Sequence, residues 1–167
     1  MATMQVQKGI LSHPQNGTQA TMNNNTHREM TLGRSHSWAG RPVYPFPETV
    51  YPNFSANFSH SKDNLLGSKG VVVYNGRSAT GLNCSWVLAW HAPINNTPPL
   101  PPNRVYVVCG PKNIIDKMSL DQIQEDLDKA YTSETFTDQA TKTSVDGVIH
   151  DLVPDQATLV GDFNLVP

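Results

Sequence analysis

Charge, cysteine and long apolar runs are all scarce in this chain of 167 residues. Charged side chains make up 16% of it and the formal net charge is −2. So little charge, with many Asn, Thr, Ser and Pro residues, argues against a long helical protein and suits short strands joined by turns. No apolar stretch approaches the length needed to span a bilayer. The opening MATMQVQKGILSHPQNG has no continuous hydrophobic core of the secretory type. The length fits one domain. We expect residues 1–167 to form a single β-rich domain, with 1–24 a loose N-terminal arm or peripheral strand.

Cys84 and Cys109 are the only cysteines, and both lie in apolar, strand-like text. Two buried free thiols are expected, with one bridge between neighbouring strands as the rival. Without a paired-histidine pattern nearby they do not suggest zinc. The six histidines (His13, His27, His36, His60, His91 and His150) form neither HxH nor HExxH. No glycine motif for cradling phosphate is present, and Gly67, Gly70, Gly76 and Gly81 read as turn residues. The expectation is therefore no metal and no cofactor. Asn16, Asn24, Asn53, Asn57, Asn83 and Asn95 fit the glycosylation pattern, which matters only for a chain in the secretory pathway, and they are read as unused.

The small net charge hides an imbalance: residues 1–112 carry +6 and residues 113–167 carry −8. Phosphate contacts need positive charge, so the acidic last third argues against a nucleic-acid partner.

Several elements can be placed. MNNNTHREMTL reads as a strand beginning near Asn25. SHSWAGRPVYPFPETVYPNF, rich in proline and aromatics, reads as an edge or loop segment pinned by Trp38, Tyr44, Phe46, Tyr51 and Phe54. NFSANFSH reads as a strand with Phe54 and Phe58 inward. GVVVYNG reads as a strand closed by an Asn75-Gly76 turn. In LNCSWVLAW, Leu82, Cys84, Trp86, Leu88 and Trp90 share one face at period two, which predicts a central strand. NNTPPLPP reads as a stiff loop and NRVYVVCG as a strand from Arg104. SLDQIQEDLDKAY carries the helical signal: Ser119 as N-cap, Gln122 at the capping-box position, and a stripe of Leu120, Ile123, Leu127 and Tyr131. Ser144–Ile149 and ATLVGDFNL, interrupted at Gly161, read as the last strands. The fold class expected is mainly β, a two-layer antiparallel β-sandwich of seven to nine strands with one amphipathic α-helix.

The run Trp38-Ala39-Gly40, Phe58-Ser59-His60, Gly67-Ser68, Val71 to Tyr74, Gly76, Asn83 to Trp90, Pro93 and Asn103-Arg104-Val105-Tyr106 resembles the plant 23-kDa jasmonate-induced protein family. The similarity covers about residues 23 to 165 and is carried by packing and turn residues. It implies a cytoplasmic plant protein tied to stress or defence, with no settled activity and no catalytic set to transfer. The strand-rich layout with an early tryptophan is also distantly similar, at the level of fold, to membrane-binding aegerolysins.

The function expected is that of a non-enzymatic plant stress or defence protein acting by ligand binding, most concretely to carbohydrate. Trp38, Tyr44, Asn57 and His60 are the first candidates for a sugar site, with His91 at the end of the central strand as a further ligand-binding candidate. Arg34 and Arg41 flank Trp38 as candidates for an anionic ligand such as a lipid headgroup. The alternatives are a hydrolase of nucleic acid or glycan, using His60, His91 or His150 with a nearby acid, and a membrane-associated lipid-binding protein.

Overall fold

The computed structural model describes residues 17–94, 102–153 and 156–167. Within them the chain builds two five-stranded sheets packed face to face. In chain order the elements are β1 (Thr18–Asn25), β2 (Met30–Ala39), β3 (Thr49–Val50), β4 (Ser55–His60), β5 (Ser68–Arg77), β6 (Asn83–Ala92) and β7 (Arg104–Pro111). A short helix α1 (Lys112–Ile115) and the longer α2 (Leu120–Asp128) follow, then β8 (Ser133–Asp138), β9 (Thr143–Val153) and β10 (Gln156–Leu165). Sheet I has the order β4-β1-β10-β9-β8 and sheet II the order β3-β2-β5-β6-β7.

β6 organises the interior. Its period-two pattern sends Cys84, Trp86, Leu88 and Trp90 between the sheets, where they join Met22, Phe58, Val145, Leu159 and Phe163 of sheet I. The other side of the same strand is also buried. Val87 and Ala89, with Val71, Val73 and Val108, pack under Ile115, Ile123 and Leu127 of the helices. The strands β5, β6 and β7 are thus covered on both faces, which explains their near-continuous apolar text, whereas β2 stays partly exposed. Ser119 caps α2 by accepting the Gln122 N–H at 3.1 Å. The Gln122 side chain does not complete a capping box; its amide turns along the helix to Asp126.

Several expectations need correction. Part of the supposed loose arm is β1, an interior strand of sheet I from Thr18 onward; residues 1–16 lie outside the described residues. β1 pairs with β10 in parallel, so the sandwich is not purely antiparallel. Its alternation, with Ala20 and Met22 inward and Gln19, Thr21 and Asn23 outward, contains one large apolar residue, Met22, and makes a weak signal. Asn25 ends a strand instead of beginning one. The described residues hold ten strands and two helices. Asn75-Gly76 is not a turn: β5 runs to Arg77, and the turn comes at Ser78–Leu82, where Gly81 has φ +86°. Gly76 and Gly70 are instead spacers for tryptophan. A Cβ on Gly76 would lie 2.9 Å from the Trp86 ring, and one on Gly70 would lie 2.7 Å from Trp90. Gly161 likewise continues β10 without a break. Phe54 and Leu82 are exposed, Phe54 lying just before its strand and Leu82 in a turn. The proline-rich segment 95–101 falls outside the described residues.

Candidate functional site

The residues singled out from sequence sit on different faces of the sandwich. Trp38 leans on the helix side of sheet II, half-buried against the cluster beneath α2. There the Lys69 ammonium lies 5.9 Å from its ring centroid, and Nζ also contacts Asp128 Oδ1 at 2.6 Å. His91 shares this face through its pairing with Lys69. Its Nε2–H donates to the Leu66 carbonyl at 2.9 Å, and burial holds its pKa below the usual value. Arg34 clamps the helices: Nη1 and Nη2 donate to the carbonyls of Met118 and Ile115, each at 2.9 Å. Arg41 is exposed beside Ser61. Tyr44 is 72% exposed in the loop leaving β2, and Asn57 lies on the outer face of sheet I.

His60 points the other way, into the core. Its Nδ1 meets Ser68 Oγ at 3.0 Å and its Nε2 meets Ser37 Oγ at 2.9 Å. Ser68 Oγ also accepts from Thr18 Oγ1 and from Trp90 Nε1. With both lone pairs engaged, the Ser68 hydroxyl proton must go to Nδ1, which leaves the imidazole proton on Nε2 facing Ser37. Burial drives the His60 pKa down to about 4. The ring is therefore a neutral strut between sheet I and sheet II. General-base chemistry would need an orienting carboxylate, and the partners of this ring are serines.

Both cysteines are free and buried, as expected. Burial raises Cys84 to about 12 and Cys109 to about 11, so neither thiol supplies a ready thiolate. Among the described residues no three His, Cys, Asp or Glu side chains converge in a metal-binding group. Asn24, one of the glycosylation-pattern asparagines, is fully buried; its amide donates to the carbonyls of Arg28 and Val50.

A surface that sequence reasoning missed is the outer face of sheet I, which neither helix covers. Strand register lays Thr135, Asp146, Asp162, Asn23 and Ser55 in one row across all five strands. The row is tied laterally. Thr135 Oγ1 donates to Asp146 Oδ1 at 2.6 Å, Asn164 Nδ2 to Asp146 Oδ2 at 3.1 Å, Asn23 Nδ2 to Asp162 Oδ1 at 2.6 Å, and Ser55 Oγ to Asn23 Oδ1 at 2.5 Å. The neighbouring row is Ser133, Val148, Val160, Thr21 and Asn57. Between the two rows runs an open groove of about 500 Å³, with Val148 and Val160 as an apolar patch and the Asp146 and Asp162 carboxylates beside it. The donors hold both carboxylates in place while their remaining lone pairs stay available. A ligand that fits offers hydroxyl donors around an apolar face. The signal in the sequence was alternation in β1, β9 and β10, but only pairing brings Asn23, Asp146 and Asp162 side by side.

No protein-family model matches the chain. It is 40% identical over 138 residues to a jasmonate-induced protein homologue from Atriplex canescens, a match covering 82% of this chain and 74% of the relative. Its fold is similar to that of the lipid binding protein Nakanori, with a TM-score of 0.74 at 16% identity over 88% of this chain and 70% of that one. It is also similar to the Xerocomus chrysenteron lectin XCL, with a TM-score of 0.50 at 14% identity over 88% of this chain and 99% of the lectin. At such identities the likeness to the two solved structures is one of fold.

Proposed function

The chain belongs to the jasmonate-induced protein family, and from that premise we propose that it is a non-enzymatic stress or defence protein of the cytoplasm that acts by binding carbohydrate on the open face of sheet I. One observation carries the reading: two fixed carboxylates, Asp146 and Asp162, border an apolar patch in a groove on an otherwise polar, uncovered sheet. Sugar rings present an apolar face edged by hydroxyls, and charged acceptors take hydroxyl donors in short, strong hydrogen bonds. The same carboxylates repel a phosphate or sulfate, so this face selects a neutral glycan over an anionic one. Asn57, at the end of the second row, is the sequence-derived candidate that shares the face. The fold neighbours include a lectin, which supports the reading without identifying the ligand.

Titration of the protein against neutral oligosaccharides by calorimetry tests this. Asp162→Ala should weaken binding by about tenfold, the loss of roughly one charge-assisted hydrogen bond. Trp38→Ala should leave it unchanged. Absence of saturable binding to any neutral glycan overturns the proposal. Loss of binding in Trp38→Ala with Asp162→Ala unaffected moves the site to the helix side of sheet II.

A further inference from the structure

A second groove, chemically opposite to the first, lies at the end of sheet II where β5 finishes and β6 begins. Its volume is about 450 Å³, and Arg28, Arg77 and Lys112 line it from three separate parts of the chain. Arg28 comes from the β1–β2 turn, Arg77 from the last position of β5 and Lys112 from the first turn after β7. Register brings Arg77 opposite Asn83 and Cys84 opposite Pro111, so Lys112 follows directly beside them. Lys112 contacts Asp116 at 2.5 Å on the exposed surface, and Glu29 is the carboxylate in the lining. Asn75 adds a donor with a fixed direction. Ser85 occupies its Oδ1 at 2.6 Å, and Nδ2 lies 2.5 Å from where a Cβ on Gly33 would sit, so the glycine leaves room for that amide. Even with Lys112 paired to Asp116 and Glu29 in the lining, Arg28 and Arg77 leave the groove with an excess of positive charge beside the Asn75 amide, the chemistry that suits an anionic oxygen group such as a phosphate.

The surroundings separate a lipid from a soluble phosphate. Leu82, next to Asn83, is 51% exposed, and Ile114, two residues after Lys112, is 54% exposed. Tyr51 and Phe54, 60% and 68% exposed, lie at the same end in the β3–β4 loop. Backbone bonds from Asn53 N to Asn24 O and from Asn24 N to Phe54 O fasten that loop to β1. Large apolar side chains from three connections thus stand out beside a cationic groove. A soluble anion has no use for that apolar rim, whereas a bilayer supplies phosphate and hydrocarbon at adjacent depths. We propose that this end of the sandwich docks on anionic phospholipid, with a headgroup phosphate held by Arg28, Arg77, Lys112 and Asn75 and with Leu82, Ile114, Tyr51 and Phe54 entering the interface. The proposal is independent of the glycan reading, which concerns the outer face of the other sheet.

Vesicle co-sedimentation of the full chain provides the test, using phosphatidylcholine vesicles with and without about one-fifth phosphatidic acid. The protein should pellet with the acidic vesicles and stay in solution with the neutral ones. Arg28→Glu/Arg77→Glu should reduce binding by at least about tenfold, since each cation near an anionic surface contributes separately. Leu82→Ser/Ile114→Ser should reduce it as well; all four side chains are exposed, so thermal midpoints should stay close to the parent. Asp162→Ala should pellet like the parent, which keeps this outcome distinct from the glycan test. Failure of the parent to pellet overturns the proposal, as does full binding by the charge-reversed variant. Unchanged pelleting by Leu82→Ser/Ile114→Ser, with equal competition by free glycerol phosphate, overturns the lipid as the source of the phosphate.

Discussion

Single residues in this protein carry loads that their identity alone does not announce. His60 reads in the sequence as a polar group for a ligand, and in the structure it is 1% exposed and wedged between two serines. Its pKa falls from 6.5 in the unfolded chain to about 4 in the fold, so below pH 6.5 the unfolded state binds the extra proton. Stability from this residue is present above pH 6.5 and is lost as pH falls from there towards 4. The full difference is on the order of 3 kcal/mol. Thermal melts at pH 7.5 and pH 4.5 should show a marked drop in midpoint for the parent, and His60→Gln should flatten that dependence while lowering the pH 7.5 value. His91, also shifted down by burial, acts in the same direction. Arg34 underwent a similar change of role: its guanidinium, expected to meet an anion, is committed to the carbonyls of Ile115 at the end of α1 and Met118 in the turn before α2.

At the level of elements, β6 and α2 were legible because their signals are local. Period two in Cys84, Trp86, Leu88 and Trp90 and the Ser119 cap each depend on residues close in sequence. β1 was not legible: Met22 is the one large apolar residue among its inward positions, and its parallel partner β10 lies 139 residues away, as in the bond from Asn23 to Asp162. The seating of the helices on sheet II was equally hidden, because it runs through Arg34 on β2 and Lys69 on β5. Arg34→Ala should cost about 2 kcal/mol, the loss of charged hydrogen bonds that leaves carbonyls without partners. Urea unfolding followed by circular dichroism would measure it, and an unchanged midpoint would mean that apolar packing alone seats α1 and α2.

For the molecule as a whole, the distance between the sheets is set by glycines. Gly147 and Gly161 face each other across β9 and β10. A Cβ on Gly147 would lie 2.8 Å from both Val105 and Val107, and one on Gly161 would lie 2.8 Å from Leu88. Sheet II therefore rests on the bare backbone of sheet I at its centre. Gly147→Ala should destabilise by about 1–3 kcal/mol through overpacking, read as a lower unfolding midpoint in denaturant. A neutral result would show that the sheets can part there at little cost. Both proposed surfaces lie outside this core, the glycan groove on the open face of sheet I and the cationic groove at an end of sheet II.

Sequence by itself determined the β-rich class, the central strand, the capped helix, the buried thiols and the family, because hydrophobic period, capping chemistry and residue identity are written locally. Tertiary structure alone decided which polar residues meet. Asp146 and Asp162 become neighbours only through the pairing of β9 with β10, and Arg28, Arg77 and Lys112 only through the meeting of three chain connections. Strand register is a long-range choice, fixed by which faces can be buried together, and no local spacing encodes it.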